Sequence, residues 1–206
     1  MACSPANGVK LTDTIAEGRR IRLRKLSHED LAQVSRFAFT ASIVEPLDDP
    51  AALATAHAVA GFWTADAGAV AIVARESGRL LGTSQFYRPG PCVHGYELGY
   101  IIHDPANWGQ GYAAEAVRLF SDHLFEVRPA AQRHQLMIET WNTRSWRLAE
   151  RCGFVREGLM RTSGFGGETP ADSFIYGRTR NDWRQEGESP VSLGGLARQS
   201  AETART

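Results

Sequence analysis

The hydrophobic period of the chain changes abruptly near residue 105, and two glycines stand at the change. Tyr96-Glu-Leu-Gly-Tyr-Ile-Ile102 has the character of a strand. After Asp104-Pro105 comes Asn107-Trp-Gly-Gln-Gly-Tyr-Ala-Ala-Glu115, and then an amphipathic helix. Ala113, Ala116, Val117, Phe120, Leu124 and Val127 recur at helical spacing on one face, and Pro129 stops the run. A strand handed to a helix through Gly109 and Gly111 demands an α/β domain. It also leaves main-chain N–H groups bare at the positive end of the helix, where phosphate oxygens are attracted. A simple tight turn into a helix is the competing reading. No Gly-Lys-Ser/Thr follows, so this is not a Walker A loop, and the three-glycine dinucleotide spacing is missing.

The rest of the chain agrees with a mixed α/β domain. Ile21 to Leu26 alternates at period two, and Ser27 with Asp30 forms a weak capping box for a helix. Asp49-Pro50 opens a second, alanine-rich helix to about Trp63. Residues 69–75 and 79–87 read as strands joined by Ser77-Gly78, and His134 to Trp141 as another. Asn142 caps a short helix closed by Gly153. Phe154–Arg161 and Asp172–Thr179 read as a last strand pair. Residues 1–15 and 185–206 are small, polar and glycine-containing, so a single domain is expected over 16–184, with a flexible start and a disordered tail.

Charge and cysteine content narrow the partners. Lys+Arg and Asp+Glu each number 23, a net charge of +0 that argues against binding nucleic acid by bulk charge or a membrane by a polybasic anchor. No apolar run approaches the roughly 18–20 residues of a spanning helix. The first residues lack the pattern of a secretory signal, and Cys3, Cys92 and Cys152 form no Cys-x-x-Cys pair. A cytoplasmic protein with free thiols is expected.

Three segments, Tyr96 to Ala116, Glu139-Thr-Trp-Asn-Thr-Arg-Ser-Trp-Arg-Leu148 and Cys152-Gly-Phe-Val-Arg-Glu-Gly158, together resemble the GCN5-related N-acetyltransferase (GNAT) superfamily. Within it they look most like the ribosomal-protein (RimJ/RimL-like) branch, which also holds small-molecule acetyltransferases. The resemblance covers about 20–184. It implies a mostly antiparallel mixed sheet of six to seven strands, flanked by helices and splayed between strands four and five, where acetyl-CoA would wedge as cosubstrate. The backbone of Ile101, Ile102 and His103 would pair with the pantetheine arm. Gly109, Gln110, Gly111, Tyr112, Ala113 and Ala114 would form the pyrophosphate loop, matching the superfamily pattern through Gly111 and Ala113. Trp108 stands where the pattern has Gln or Arg, so one polar phosphate contact is not assumed. Asn142 matches an asparagine that reaches the pantetheine or orders the loop, beside its plain role as a helix cap. Ser145 matches a serine acting as general acid for the departing thiolate, against the reading of a solvent-facing helix serine. Ala149 stands where other members carry a tyrosine acid. A homodimer is left open, dimers being frequent in the family.

The acceptor amine must shed a proton, and Glu97 is the first candidate base. Period two sets Glu97, Gly99 and Ile101 on one face and Leu98, Tyr100 and Ile102 on the other. A carboxylate merely paired with a surface arginine is the alternative, and Glu139 is a second candidate base. Where some ribosomal-protein enzymes carry a carboxylate, this chain reads Thr162-Ser-Gly-Phe165, which weakens a ribosomal protein as the acceptor. Arg161 and Arg178 on the last hairpin would favour an acidic acceptor if they line its wall, though surface arginines are the commoner reading. Tyr176 fits a cleft-lining aromatic, while Trp63, Phe86 and Tyr87 read as core or cleft wall. His28, His57 and His94 have no metal-ligand company, and the chemistry needs no metal. The expectation is an acetyl-CoA-dependent N-acetyltransferase acting on a protein N-terminus or a small-molecule amine. The rival from another class is a silent acyl-CoA-binding or regulatory module; a flavin or nicotinamide enzyme is disfavoured by the missing glycine.

Overall fold

Apolar runs broken by Gly, Pro and Asn turns pair into one sheet in the computed structural model, which describes residues 14–34, 65–164 and 171–188. Its strands are β1 (Thr14–Glu17), β2 (Ile21–Lys25), β3 (Ala67–Ala74), β4 (Leu80–Tyr87), β5 (Gly95–Ile102), β6 (Arg133–Glu139), β7 (Val155–Gly164) and β8 (Ala171–Thr179). The helices are α1 (His28–Val34), α2 (Tyr112–Val127), α3 (Thr143–Arg151) and α4 (Arg180–Glu188), with a 3-10 turn at Pro105–Asn107. The strand order is β1-β2-β3-β4-β5-β6-β8-β7, antiparallel throughout except for the parallel pair β5–β6. No described helix is long and apolar enough to cross a membrane.

Eight strands exceed the expected six to seven because Thr14–Glu17, too short to show a period, pairs with residues 22–24 of β2 through a bulge. At the other end α4 runs to Glu188, past the expected boundary at 184. Glu186 holds it there by accepting from Arg178 at 2.8 Å and Arg118 at 2.7 Å. The expected helix from Asp49 to Trp63, with His57, lies outside the described residues, as do residues 1–13 and the tail from 189.

Helix α2 buries Ala116, Val117, Phe120 and Leu124 in one core with Tyr96, Leu98 and Ile102 of β5. Each such large side chain contributes about 1.5–3 kcal/mol. Val127, the last of the helical series, remains 46% exposed. Asn142 accepts the Ser145 N–H at 3.2 Å and starts α3, and Gly153, at φ +83°, follows its end.

The feature that positions the site is the seam between β5 and β6. The two strands are in register over three pairs only, Gly95 with Arg133, Tyr96 with His134 and Glu97 with Gln135. A side chain at Gly95 would overlap the Arg133 carbonyl, so glycine permits this approach. Beyond Glu97, β5 continues along β4 to Ile102 and β6 continues along β8 to Glu139. The sheet opens there into a cleft. These are the fourth and fifth strands of the expected numbering, displaced by the extra β1.

Candidate active site

The loop before α2 has the open form its glycines suggest. Gly109 and Gly111 sit at φ +72° and +82°, the left-handed region that costs a side chain. Gly111 is the N-cap of α2 and offers no side-chain acceptor, so the first amides of the helix are left without a side-chain cap. Tyr112, Ala113 and Ala114 form its first turn and pack on the core. Trp108 braces the loop by donating its indole N–H to the Ile102 carbonyl at 2.8 Å. The Arg144 guanidinium carbon lies 6.0 Å from the centre of the Trp108 ring.

Arg20, in the β1–β2 turn, is a part of this loop that sequence reasoning missed. Its backbone N–H and Nε donate to the Glu115 carboxylate at 2.8 and 3.2 Å, and its Nη1 donates to the Gln110 carbonyl at 2.7 Å. Its charge was visible, but a separation of 95 residues from Glu115 hid the contact.

The edge of β5 that faces the cleft is settled by a few bonds. His103 N–H donates to the Leu81 carbonyl at 3.1 Å, and the Gly99 carbonyl accepts from Ser84 on that same side. Toward β6, the His94 carbonyl accepts from Gln132 N–H at 2.7 Å. Main-chain groups alternate between edges along a strand, so odd residues address β4 and even residues address the cleft. This corrects the expected pantetheine edge: Ile101 and His103 turn their strand bonds to β4. Ile102 faces the cleft, along with Tyr100, but its carbonyl already accepts from Trp108. The His103 ring is buried, with Nε2 3.3 Å from Thr83 Oγ1.

On the helical side of the cleft, Ser145 occupies the first turn of α3. Its Oγ lies 2.6 Å from the Tyr100 hydroxyl of β5, so it is no solvent-facing serine. Burial pushes the Tyr100 phenol up to about 12. Asn142 uses its Oδ1 as the cap, and its Nδ2 makes no hydrogen bond among the described residues. Ala149 is fully buried against the core.

Glu97 lies on the opposite face, at the last residue of the seam. It is 8% exposed, with one carboxylate oxygen accepting from the Tyr87 hydroxyl and the other from Gln135 Nε2 at 2.8 Å. The arginine partner of the alternative reading is therefore replaced by two neutral donors. Burial, then the bond to Glu97, raises the Tyr87 phenol. Tyr87 is 39% exposed, so it connects the carboxylate to the surface. Glu139 falls on the same face of β6 as Gln135, beyond the seam.

Two sequence expectations are corrected by burial. Arg178 does not line an acceptor wall: it is 0% exposed beneath α2, donating to Ser121, Asp122 and Glu186 at 2.9, 2.7 and 2.8 Å. Tyr176 is core as well, donating to Glu150 at 3.1 Å. Arg161 remains exposed on β7. Phe86 is core.

Over residues 20–155 the chain matches the family described as the acetyltransferase (GNAT) domain. It belongs to the GNAT family. A relative in Bacillus subtilis (strain 168), named uncharacterized N-acetyltransferase YoaA, is 30% identical over 102 residues, 50% of this chain and 56% of that protein. The chain spans about half the length of the curated relatives it matches. Among solved GNAT structures, Mycobacterium smegmatis RimJ in complex with CoA-disulfide aligns with a TM-score of 0.66 at 18% identity, covering 79% of this chain and 83% of that one. Spermidine N-acetyltransferase from Vibrio cholerae, in complex with CoA and spermine, aligns with a TM-score of 0.67 at 19% identity, covering 80% and 98%. At these identities the likeness to the two structures is one of fold.

Proposed function

We propose that this GNAT chain is an acetyl-CoA-dependent N-acetyltransferase that moves acetyl directly onto a primary amine. The observation that carries the reading is the three-pair seam: the sheet opens just past Glu97, with a paired hydroxyl on one face and a held carboxylate on the other. The residues present fit the cosubstrate. Gly109 to Ala114 offer uncapped amides to the pyrophosphate, Asn142 Nδ2 is available to a pantetheine amide, and Ile102 and Tyr100 turn main chain to the cleft. Acetyl-CoA supplies the activated acyl group. Glu97 takes the amine proton through water, and Ser145 protonates the departing sulfur.

The acceptor is a protein N-terminal amine or a small-molecule amine. A ribosomal-protein-S5-alanine acetyltransferase from Vibrio fischeri and a spermidine N-acetyltransferase among the structural relatives support amine acceptors of both kinds. With Arg178 buried, the argument for an acidic acceptor rests on Arg161 alone and falls away. The matching carboxylates Glu97 and Glu139 on the cleft face suit a cationic amine better.

Thermal unfolding with acetyl-CoA, NAD and ATP in parallel tests the cosubstrate. A rise in midpoint with acetyl-CoA alone is expected, and no rise at saturation would end the reading. Glu97→Gln separates enzyme from silent binding module. An enzyme loses turnover about 100-fold or more while keeping its acetyl-CoA shift. A module shows the shift in both proteins and turnover in neither.

A further inference from the structure

Ser145 alone is a weak acid for its task, since an aliphatic hydroxyl gives up a proton far less readily than a phenol. The helix position where related enzymes place a tyrosine holds Ala149, whose side chain is too short to reach any reacting atom and is wholly buried. A phenol nevertheless stands at the site, reached from the sheet instead of the helix. Tyr100 projects from β5 on the face that carries α3, and its hydroxyl is 2.6 Å from Ser145 Oγ, a short contact between two oxygens. Among the described residues the Tyr100 hydroxyl makes one other bond, a long one of 3.5 Å to the Ser145 carbonyl.

We propose that Tyr100 is the proton reservoir behind Ser145, so that the two hydroxyls act as a relay whose source is a strand tyrosine. This rests on the acetyltransferase reading above and deepens it. As the amine nitrogen bonds to the acetyl carbon, the carbon–sulfur bond breaks and sulfur keeps the electron pair. The Ser145 Oγ proton passes to sulfur, and the Tyr100 hydroxyl proton passes to Ser145 Oγ. The tyrosinate left behind is reprotonated from water, which has received the proton shed by the amine through Glu97. Nothing is oxidised or reduced, and the products are the amide and the free thiol.

Several features suit Tyr100 to this part. Being largely buried, its phenol stays protonated at neutral pH and keeps the proton available. The other titratable or charged groups bearing on it are Cys152 and Arg151 at the end of α3, the arginine easing ionisation and the thiol opposing it. Tyr100 is rigidly placed, since its backbone lies in the β4–β5 ladder opposite Ser84. A helix serine facing solvent would need no such partner. In the present geometry the hydrogen bond leaves the Ser145 proton free to point elsewhere whenever Tyr100 is the donor.

The test is the single-turnover rate of acetyl transfer from acetyl-CoA, with spermidine and a peptide bearing a free N-terminal alanine as the acceptors. The wild type is measured first, because transfer to neither acceptor would overturn the acetyltransferase reading for these amines together with the relay. Given wild-type transfer, Tyr100→Phe is expected to slow the step by about 10- to 100-fold. The acetyl-CoA dissociation constant from calorimetry should stay within about twofold. In mixtures of light and heavy water the wild-type rate should bend more strongly with deuterium content than the Tyr100→Phe rate, which has one proton fewer in flight. Tyr100→Phe with Ser145→Ala should be no slower than Ser145→Ala alone, since either change cuts the same chain. Ser145→Thr, which keeps a hydroxyl, should retain the relay and guards against a variant that folds poorly. A Tyr100→Phe protein with the wild-type rate, or losses that multiply in the double variant, would overturn the relay and leave the acetyltransferase reading in place.

Discussion

The two ends of α2 face opposite demands and are built accordingly. At its N-terminus, Gly111 offers no side-chain cap and the loop is held from behind by Arg20 and Trp108. At its C-terminus a side chain does the capping. Arg180 donates to the carbonyls of Phe125, Arg128 and Ala131 at 2.7–2.8 Å, placing a buried cation on the negative end of the helix. Below it, the His134 ring stacks on Phe125 at 3.8 Å, with Nδ1 2.9 Å from Ser121, which also accepts from Arg178. One end is closed by side chains; the other has no side-chain cap, and on the proposed function the acetyl-CoA pyrophosphate completes it. The difference teaches that a satisfied helix end contributes stability, while an unsatisfied one contributes affinity.

This contrast can be broken from either side. The largest effect is expected at the closed end: Arg178→Ala removes a wholly buried cation from three partners and should cost about 3–5 kcal/mol in urea unfolding. Acetyl-CoA affinity of the folded fraction should hardly change. An acid titration probes the same end. Burial, then the charges of Arg178 and Arg180, lower His134 to about 3 from 6.5. The unfolded chain therefore takes up this proton first as pH falls. Stability present above about pH 6.5 drains away toward pH 3, on the order of 3 kcal/mol by pH 4. His134→Phe should flatten that limb of a stability-against-pH curve; an unchanged slope would clear His134 of the role.

At the open end, Gly111→Val forces a side chain into φ +82° and against Arg20. Acetyl-CoA should bind at least about 100-fold more weakly, roughly 2.7 kcal/mol by calorimetry, with a smaller loss of melting temperature. Arg20→Ala is the mildest change. Arg20 is about half exposed, and its bonds shape the loop without closing it. A three- to tenfold weakening of acetyl-CoA is expected, within the 0–1.4 kcal/mol range of exposed pairs and tenfold ratios. A loss as large as that of Gly111→Val would make Arg20 a direct ligand contact.

What was legible in the sequence was chemistry that acts over a few residues. The glycine turn, the Asn142 cap, the Gly153 stop and the apolar face of α2 each follow from local backbone needs, and the structure has them all. The face pattern of β5 was legible too, which set Glu97 and Tyr100 on opposite sides. Their partners were not. Tyr100 meets Ser145 across 45 residues and Glu97 meets Gln135 across 38, and no period records such pairings. Arg178 shows the same gap in reverse: its charge suggested a surface, yet Asp122 and Glu186 on two helices allow its burial. β1 and the end of α4 escaped because four residues or a polar helix carry too weak a period to stand out from loose termini.

The seam between β5 and β6 also has a meaning in time. Strands β1 to β5 occupy residues 14–102 in the order in which they lie in the sheet, and β6 to β8 occupy 133–179. The partners across the seam lie 38 residues apart, a separation that β6–β8 matches and β2–β3 exceeds, but the seam alone is parallel and requires the α2 crossover to be laid across first. Parallel pairing is slow in a folding chain, because the crossover must be ordered before the pairs reward it. The proposed catalytic cleft thus lies where that crossover closes, and pulse-labelled hydrogen exchange during refolding is expected to find the amides beside Glu97 among the last to be protected.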